Sequence, residues 1–168
     1  MLNTGLLDLI RLKTLVVYYS RIGNARFVAQ TIAAEVGADI EEVMNQKKRS
    51  GPTGFFTGDS DAIRGKETKI SPTTKGPTEY DLIIVGTPVW ASRPTPAITT
   101  YLKNNDLAAK KVALFFTRGG KKPTAFDETK ALIPNSNYIG QLSLINPLSS
   151  KDEAEKQIID LCKTLSIA

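Results

Sequence analysis

Histidine is absent from the 168-residue chain, and cysteine occurs once, at Cys162. Without histidine there is no Ser-His-Asp or Cys-His nucleophile, no usual neutral-pH base and no zinc site of the common kind. A lone cysteine excludes an internal disulfide and a cysteine-ligated cluster. Long hydrophobic runs are missing too: the longest stop at about six residues, where ~20 are needed to cross a bilayer, so no membrane span is expected. Aromatic residues are few, with one tryptophan, Trp90, and acid is in deficit, 17 Asp+Glu against 22 Lys+Arg for a net charge of +5. Any chemistry must therefore come largely from a bound cofactor.

What is present suits one folded domain. Apolar residues make 41% and charged ones 23%, which argues against disorder, collagen or a solenoid. A chain near ~150 residues buries roughly 68–70% of its unfolded surface, enough for a sizeable core. The opening MLNTGLLDLIRLK carries an apolar patch of Leu6, Leu7, Leu9 and Ile10 broken by Asp8. No basic stretch precedes it and no small-residue cleavage site follows, so it does not read as a signal peptide and a cytoplasmic location is expected. Residues 1–12 read as an N-terminal extension and 13–168 as the domain.

Three short apolar runs stand out: Leu15-Val16-Val17-Tyr18-Tyr19, Leu82-Ile83-Ile84-Val85 and Val112-Ala113-Leu114-Phe115-Phe116. Runs apolar on both alternating faces suit parallel strands covered by helices on two sides. Asp39–Val43 and Tyr138–Ile145 mix polar residues in, as edge strands do. Central first, third and fourth strands with second and fifth at the edges predict the sheet order 2-1-3-4-5. Between them, Val28, Ala29, Ile32, Ala33 and Val36 form a helical stripe ended by Gly37. Further helices are predicted from Pro94 or Pro96 to Lys103, over Ala125–Leu132, and from a capping box at Ser150 and Glu153 through Ala154, Ile158, Leu161, Cys162 and Leu165. Cys162 lies on that apolar stripe and reads as a structural thiol. Residues 45–79 are rich in Gly, Pro, Thr and Lys and predict a long loop with one short helix at Phe55–Arg64. The fold class is α/β, an open five-stranded parallel sheet with helices on both faces.

In such sheets ligands bind beyond the carboxyl ends of the strands, where strand order reverses. Three loops leave those ends: Ser20-Arg21-Ile22-Gly23-Asn24-Ala25, Thr87-Pro88-Val89-Trp90-Ala91-Ser92-Arg93 and Thr117-Arg118-Gly119-Gly120-Lys121-Lys122. The first joins a strand to a helix start, whose open N–H groups and dipole favour phosphate. Gly23 permits a close turn, Asn24 suits a helix cap, and Arg21 and Arg26 add charge. The same residues also suit an ordinary capped turn. Trp90 in the second loop offers a stacking platform for a flat ring, or else an anchor plugging the sheet end. Gly119-Gly120 lets main-chain N–H groups approach the edge of a heterocycle, or forms a plain turn.

Tyr18–Asn24, Tyr80–Trp90 and Lys111–Gly120 together resemble the three signature segments of the flavodoxin family, more narrowly of small flavodoxin-like proteins with a Pro-Val-Trp loop. The likeness runs roughly from Thr14 to Leu165. It implies the 2-1-3-4-5 sheet, non-covalent FMN, and electron transfer through the flavin to a redox partner protein or small-molecule acceptor. By this resemblance Ser20–Ala25 hold the ribityl phosphate, Pro88–Ala91, after Thr87, meet the isoalloxazine face, and Thr117–Lys121 meet its pyrimidine edge. Two departures follow. Hydroxyl residues usual on either side of the Gly-Asn pair are replaced by Ile22 and Ala25. Losing two hydrogen bonds to a charged group, roughly 1.5–3 kcal/mol each, weakens binding by about 10²–10⁴-fold. The chain is also basic where the family's electron carriers are acidic. Arg118, Lys121 and Lys122 beside the pyrimidine edge are expected to stabilise anionic reduced flavin and raise its potential.

Two other classes remain beside the FMN electron carrier: an NAD(P)H-dependent FMN reductase of quinone-reductase type, and a flavin-free interaction domain. Bleaching of bound flavin by NAD(P)H alone separates the first, and a colourless preparation marks the second. Nucleic acid is not expected as a partner, because Lys47-Lys48-Arg49 and Lys121-Lys122 are short and lack interleaved aromatics. The position of residues 45–79 suits a partner-binding or homodimer element.

Overall fold

A computed structural model describes residues 12–46, 67–120 and 125–167. The expected helix at Phe55–Arg64, nearly all of the N-terminal extension, and Lys121 and Lys122 lie outside the described residues. The chain runs β1 (Thr14–Tyr18), α1 (Asn24–Val36), β2 (Asp39–Glu42), β3 (Leu82–Trp90), β4 (Arg93–Pro94), α2 (Pro96–Asn104), β5 (Lys111–Arg118), α3 (Ala125–Ala131), β6 (Asn137–Ile145) and α4 (Lys151–Ile167).

The five long strands are parallel in the order β2-β1-β3-β5-β6. With the two-residue β4 set aside, this is the predicted 2-1-3-4-5. Side-chain alternation along the three central strands divides the core in two. Leu15, Val17, Ile83, Val85, Val112, Leu114 and Phe116 pack under α2 and α3. Val16, Tyr18, Leu82, Ile84, Ala113 and Phe115 pack under α1 and α4. The helices carry matching stripes: Ala25, Val28, Ala29 and Ile32 on α1, and Ala154, Ile158, Leu161, Cys162 and Leu165 on α4. Burial pushes the Cys162 thiol up to about 11, which keeps it protonated and unreactive at neutral pH. Gly37 ends α1 at φ 65°, and its N–H donates to the Ala33 carbonyl.

Edge and centre differ as the sequence predicts. Every residue of β1 is buried, whereas β2 and β6 are half-exposed. Edge strand β2 carries one buried carboxylate, Glu41, which accepts from the Thr74 N–H (3.0 Å), the Thr74 hydroxyl (2.7 Å) and the Lys75 N–H (3.2 Å). It pins the returning connection against the sheet. That connection also pairs with the segment following β2 through an isolated antiparallel bridge between Asn45 and Ile70.

One stretch corrects the sequence reading. Thr87–Arg93 is not a loop, because β3 continues to Trp90 and folds back, pairing Val89 with Pro94 and Trp90 with Arg93. The two turn residues, Ala91 and Ser92, sit at φ 47° and 61°. Positive φ at both central positions is what lets a two-residue turn follow the strand twist. Here it is adopted by residues that give no local sign of it.

Candidate functional site

The carboxyl ends of β1, β3, β5 and β6 surround a cavity of about 430 Å³. Ser20, Arg21, Ile22, Asn24 and Ala25 wall it from the β1–α1 turn, Pro88, Val89, Trp90 and Ala91 from β3 and its hairpin, and Thr117, Arg118 and Gly119 from β5. The three segments singled out in the sequence thus meet in one place. Asn146 completes the wall.

At the apolar end, Trp90 is only 7% exposed. Its ring meets Tyr19 edge-on, with centroids 5.8 Å apart and planes at 90°. The Arg21 guanidinium carbon stands 5.6 Å from the indole centroid, within cation–π range. Trp90 is thus the anchor that the sequence offered as one alternative, and it also stands in the cavity wall. Packing fixes the indole in the core while part of it faces the cavity. Tyr19, which braces the indole, is held by the sheet, since its N–H donates to the Gly86 carbonyl at 3.1 Å. Pairing of β3 with β5 continues to Pro88 opposite Thr117.

At the other end lies the head of α1. Gly23 precedes the helix at φ 98°, and Leu148 Cδ1 lies 3.5 Å from where a Cβ on it would stand. Asn24 does not cap this helix, contrary to expectation. It is the first helical residue, and its Oδ1 accepts from the Leu148 N–H at 3.2 Å. Ser20 Oγ does the local work instead, accepting from the N–H groups of Gly23 and Arg26, each at 3.2 Å. The N–H groups of Asn24 and Ala25 have no acceptor among the described residues. They and the helix dipole make this end suited to an anion.

Arg26 is not directed to that anion position. Its guanidinium grips Glu42 at 2.7 and 3.3 Å, and Glu42 also accepts from the Tyr18 hydroxyl at 3.0 Å. Burial first, then Glu42, raises the Tyr18 phenol above its ordinary range. Arg118 reaches across to β6, donating from Nε to Ser143 Oγ at 2.9 Å and from a terminal nitrogen to the Gly120 carbonyl. Its own carbonyl accepts from the Asn146 N–H at 3.0 Å.

Thr87 and Gly120 are not among the cavity's lining residues. The Thr87 hydroxyl is buried below the cavity, bonded to Thr95 Oγ1 (3.1 Å) and its N–H (3.0 Å), and so ties β3 to the start of α2. Gly23 shapes the loop rather than the wall. Asn146 was missed, yet the rule that ligands sit beyond strand carboxyl ends points to it, because Ile145 pairs with Arg118 at the end of β6. Among the described residues no group of acidic or thiol side chains could hold a metal ion. No helix among them is long and apolar enough to cross a membrane.

A slot walled by an indole and apolar side chains together with a turn that has open main-chain donors suits a flat ring with an anionic tail. The family model described as flavodoxin matches residues 13–160. The chain belongs to the flavodoxin family. No curated protein matches the sequence. Among solved structures, it is similar to a flavoprotein from Lactobacillus acidophilus NCFM crystallised in complex with FMN. Identity is 26% and the TM-score 0.69, covering 87% of this chain and 98% of that one. The apo form of the flavoprotein from the same organism, solved by NMR, matches at 26% identity and TM-score 0.59, covering 82% and 95%. Oxidised Flavodoxin 2 from Bacillus cereus, at 18% identity and TM-score 0.57 over 92% and 97%, shares the fold.

Proposed function

We propose that this flavodoxin binds FMN non-covalently in the cavity and passes electrons through it to a redox partner protein or small-molecule acceptor. The observation that carries this reading is the convergence of the β1, β3 and β5 ends on one slot, whose wall includes both Trp90 and the head of α1. When bound, FMN supplies the electron chemistry, and the chain supplies position and field. Pro88, Val89 and Trp90 orient the ring and exclude water from one face. The N–H groups of Asn24 and Ala25 receive the phosphate end. Arg118 places positive charge beside the slot, which favours added electrons and raises the flavin's potential relative to a neutral wall. With a net charge of +5, the protein is suited to an acidic partner.

The test is a titration of the purified chain with FMN, following Trp90 emission and flavin fluorescence together. The chain has one tryptophan, so quenching of its emission reports the slot alone. Saturable quenching of both signals at one flavin per chain is expected. Signals unchanged at saturating FMN would refute the proposal.

A further inference from the structure

The two edges of the sheet are protected differently. Edge strand β2 reads Asp39-Ile40-Glu41-Glu42, and Glu41 holds the returning connection against it at Thr74 and Lys75. Charge and cover of that kind blunt a sheet edge. Strand β6, Asn137–Ile145, includes no charged residue and no proline, and among the described strands it pairs with β5 alone. A register shift opposite Val112 and Ala113 leaves Ile139 unmatched, which disrupts the first half of this edge. The second half is regular. There the Asn146 N–H donates to the Arg118 carbonyl, so by strand alternation the main-chain groups of Leu142 and Leu144 face β5. Those of Gln141, Ser143 and Ile145 face outward and have no partner among the described residues. The same face is open at the side chains, with Gln141 exposed and Ile145 53% exposed, whereas Leu142 and Leu144 pack under α4. Arg118 lies on this open face, its Nε 2.9 Å from Ser143 Oγ, and among the described residues no carboxylate pairs with it. The strand runs out at Asn146, in the wall of the slot.

We propose that the outer edge of β6 receives an extended acidic segment of a partner protein as an added strand, beside the slot. Main-chain hydrogen bonds to Gln141, Ser143 and Ile145 supply affinity, and alternate side chains supply specificity. A carboxylate opposite Ser143 meets Arg118, and an apolar residue two positions away covers Ile145. A second copy of this chain fits less well. Pairing β6 with itself through all three outward residues puts Ser143 on the two-fold axis and sets two Arg118 guanidiniums side by side. That the segment belongs to a redox partner rests on the reading above, whereas the strand addition does not.

The experiment adds the end-capped peptide Thr-Ile-Thr-Glu-Thr-Ile-Thr, or its Lys-centred counterpart, to the full chain without flavin. Binding is read by fluorescence anisotropy of labelled peptide, and main-chain protection by amide hydrogen exchange in NMR. The Glu peptide is expected to bind about tenfold more tightly than the Lys peptide and to slow exchange at Gln141, Ser143 and Ile145. Arg118→Gln should cut that preference to less than about threefold. Gln141→Pro removes one outward N–H at an exposed position and should weaken both peptides alike, by about fivefold. No saturable binding of the Glu peptide, equal affinity for the two peptides, or binding without protection at the three amides overturns the inference. So does a chain dimer in sedimentation that Gln141→Pro abolishes, which assigns the edge to a second copy. Peptide binding by a chain that does not bind FMN keeps the strand addition but overturns the proposed function, and with it the partner's redox role.

Discussion

At one end of the cavity the wall is an indole, 7% exposed and braced edge-on by Tyr19, on a strand paired to β5 as far as Pro88 and Thr117. At the other end it is an isoleucine, 75% exposed, on a turn held by three hydrogen bonds of 3.2 Å through Ser20 and Asn24. The first end is part of the core and cannot change without cost to the fold. The second is surface, where substitution is cheap. The contrast teaches where selection by stability acts: the indole in the cavity wall is also a structural element, whereas the exposed turn before α1 is free to vary.

The largest effect is expected at the platform. Trp90→Ala removes a buried aromatic and should cost about 3 kcal/mol in urea denaturation, together with most of the flavin affinity read by flavin fluorescence. A loss below about 1 kcal/mol would make Trp90 a rim residue and break the contrast. Next comes the foundation beneath it. A Cβ on Gly86 would lie 1.8 Å from Phe115 Cζ, and Phe115 is fully buried. Gly86→Ala should therefore cost roughly 1–3 kcal/mol, and an unchanged urea midpoint would show that the β3–β5 seam can give. A smaller, electrical effect is expected from Arg118→Gln. The midpoint potential of the bound flavin should fall by on the order of tens of millivolts, because the side chain is partly exposed and its charge screened. A rise would reverse the sign assigned to this wall. Smallest is Asn24→Ala at the tail end, which loses one exposed hydrogen bond to Leu148. It should shift stability by less than about 1 kcal/mol, and a greater loss by the same urea assay would mean that the turn is as structural as the platform.

Much of this was legible in the sequence, for identifiable reasons. Apolar runs such as Leu15–Tyr19 and Val112–Phe116 have no polar face, so they require cover on both sides. Polar residues in Asp39–Val43 and Tyr138–Ile145 tolerate an edge. Gly37 marks a helix end because its φ of 65° is costly for other residues. The hairpin after Trp90 was not legible. Turns with two positive φ values announce themselves through Asn and Gly, and here Ala91 and Ser92 occupy the places. Their conformation is imposed by the Val89–Pro94 and Trp90–Arg93 pairing. The partner of Arg26 was hidden for a different reason. Glu42 is distant in sequence and comes within 2.7 Å only because β2 lies beside β1. Asn146 entered the site in the same way, carried there by the pairing of β6 with β5.

The sequence by itself determined the class of fold, the strand order and the three segments that meet at the strand ends, because hydrophobic period and strand-end chemistry are local properties. Tertiary structure alone decided what each turn can do. It seated the indole in the core, turned Thr87 away from the cavity and gave Arg26 to Glu42. Those outcomes depend on which side chains arrive within a few ångströms across the sheet, and no local pattern encodes that.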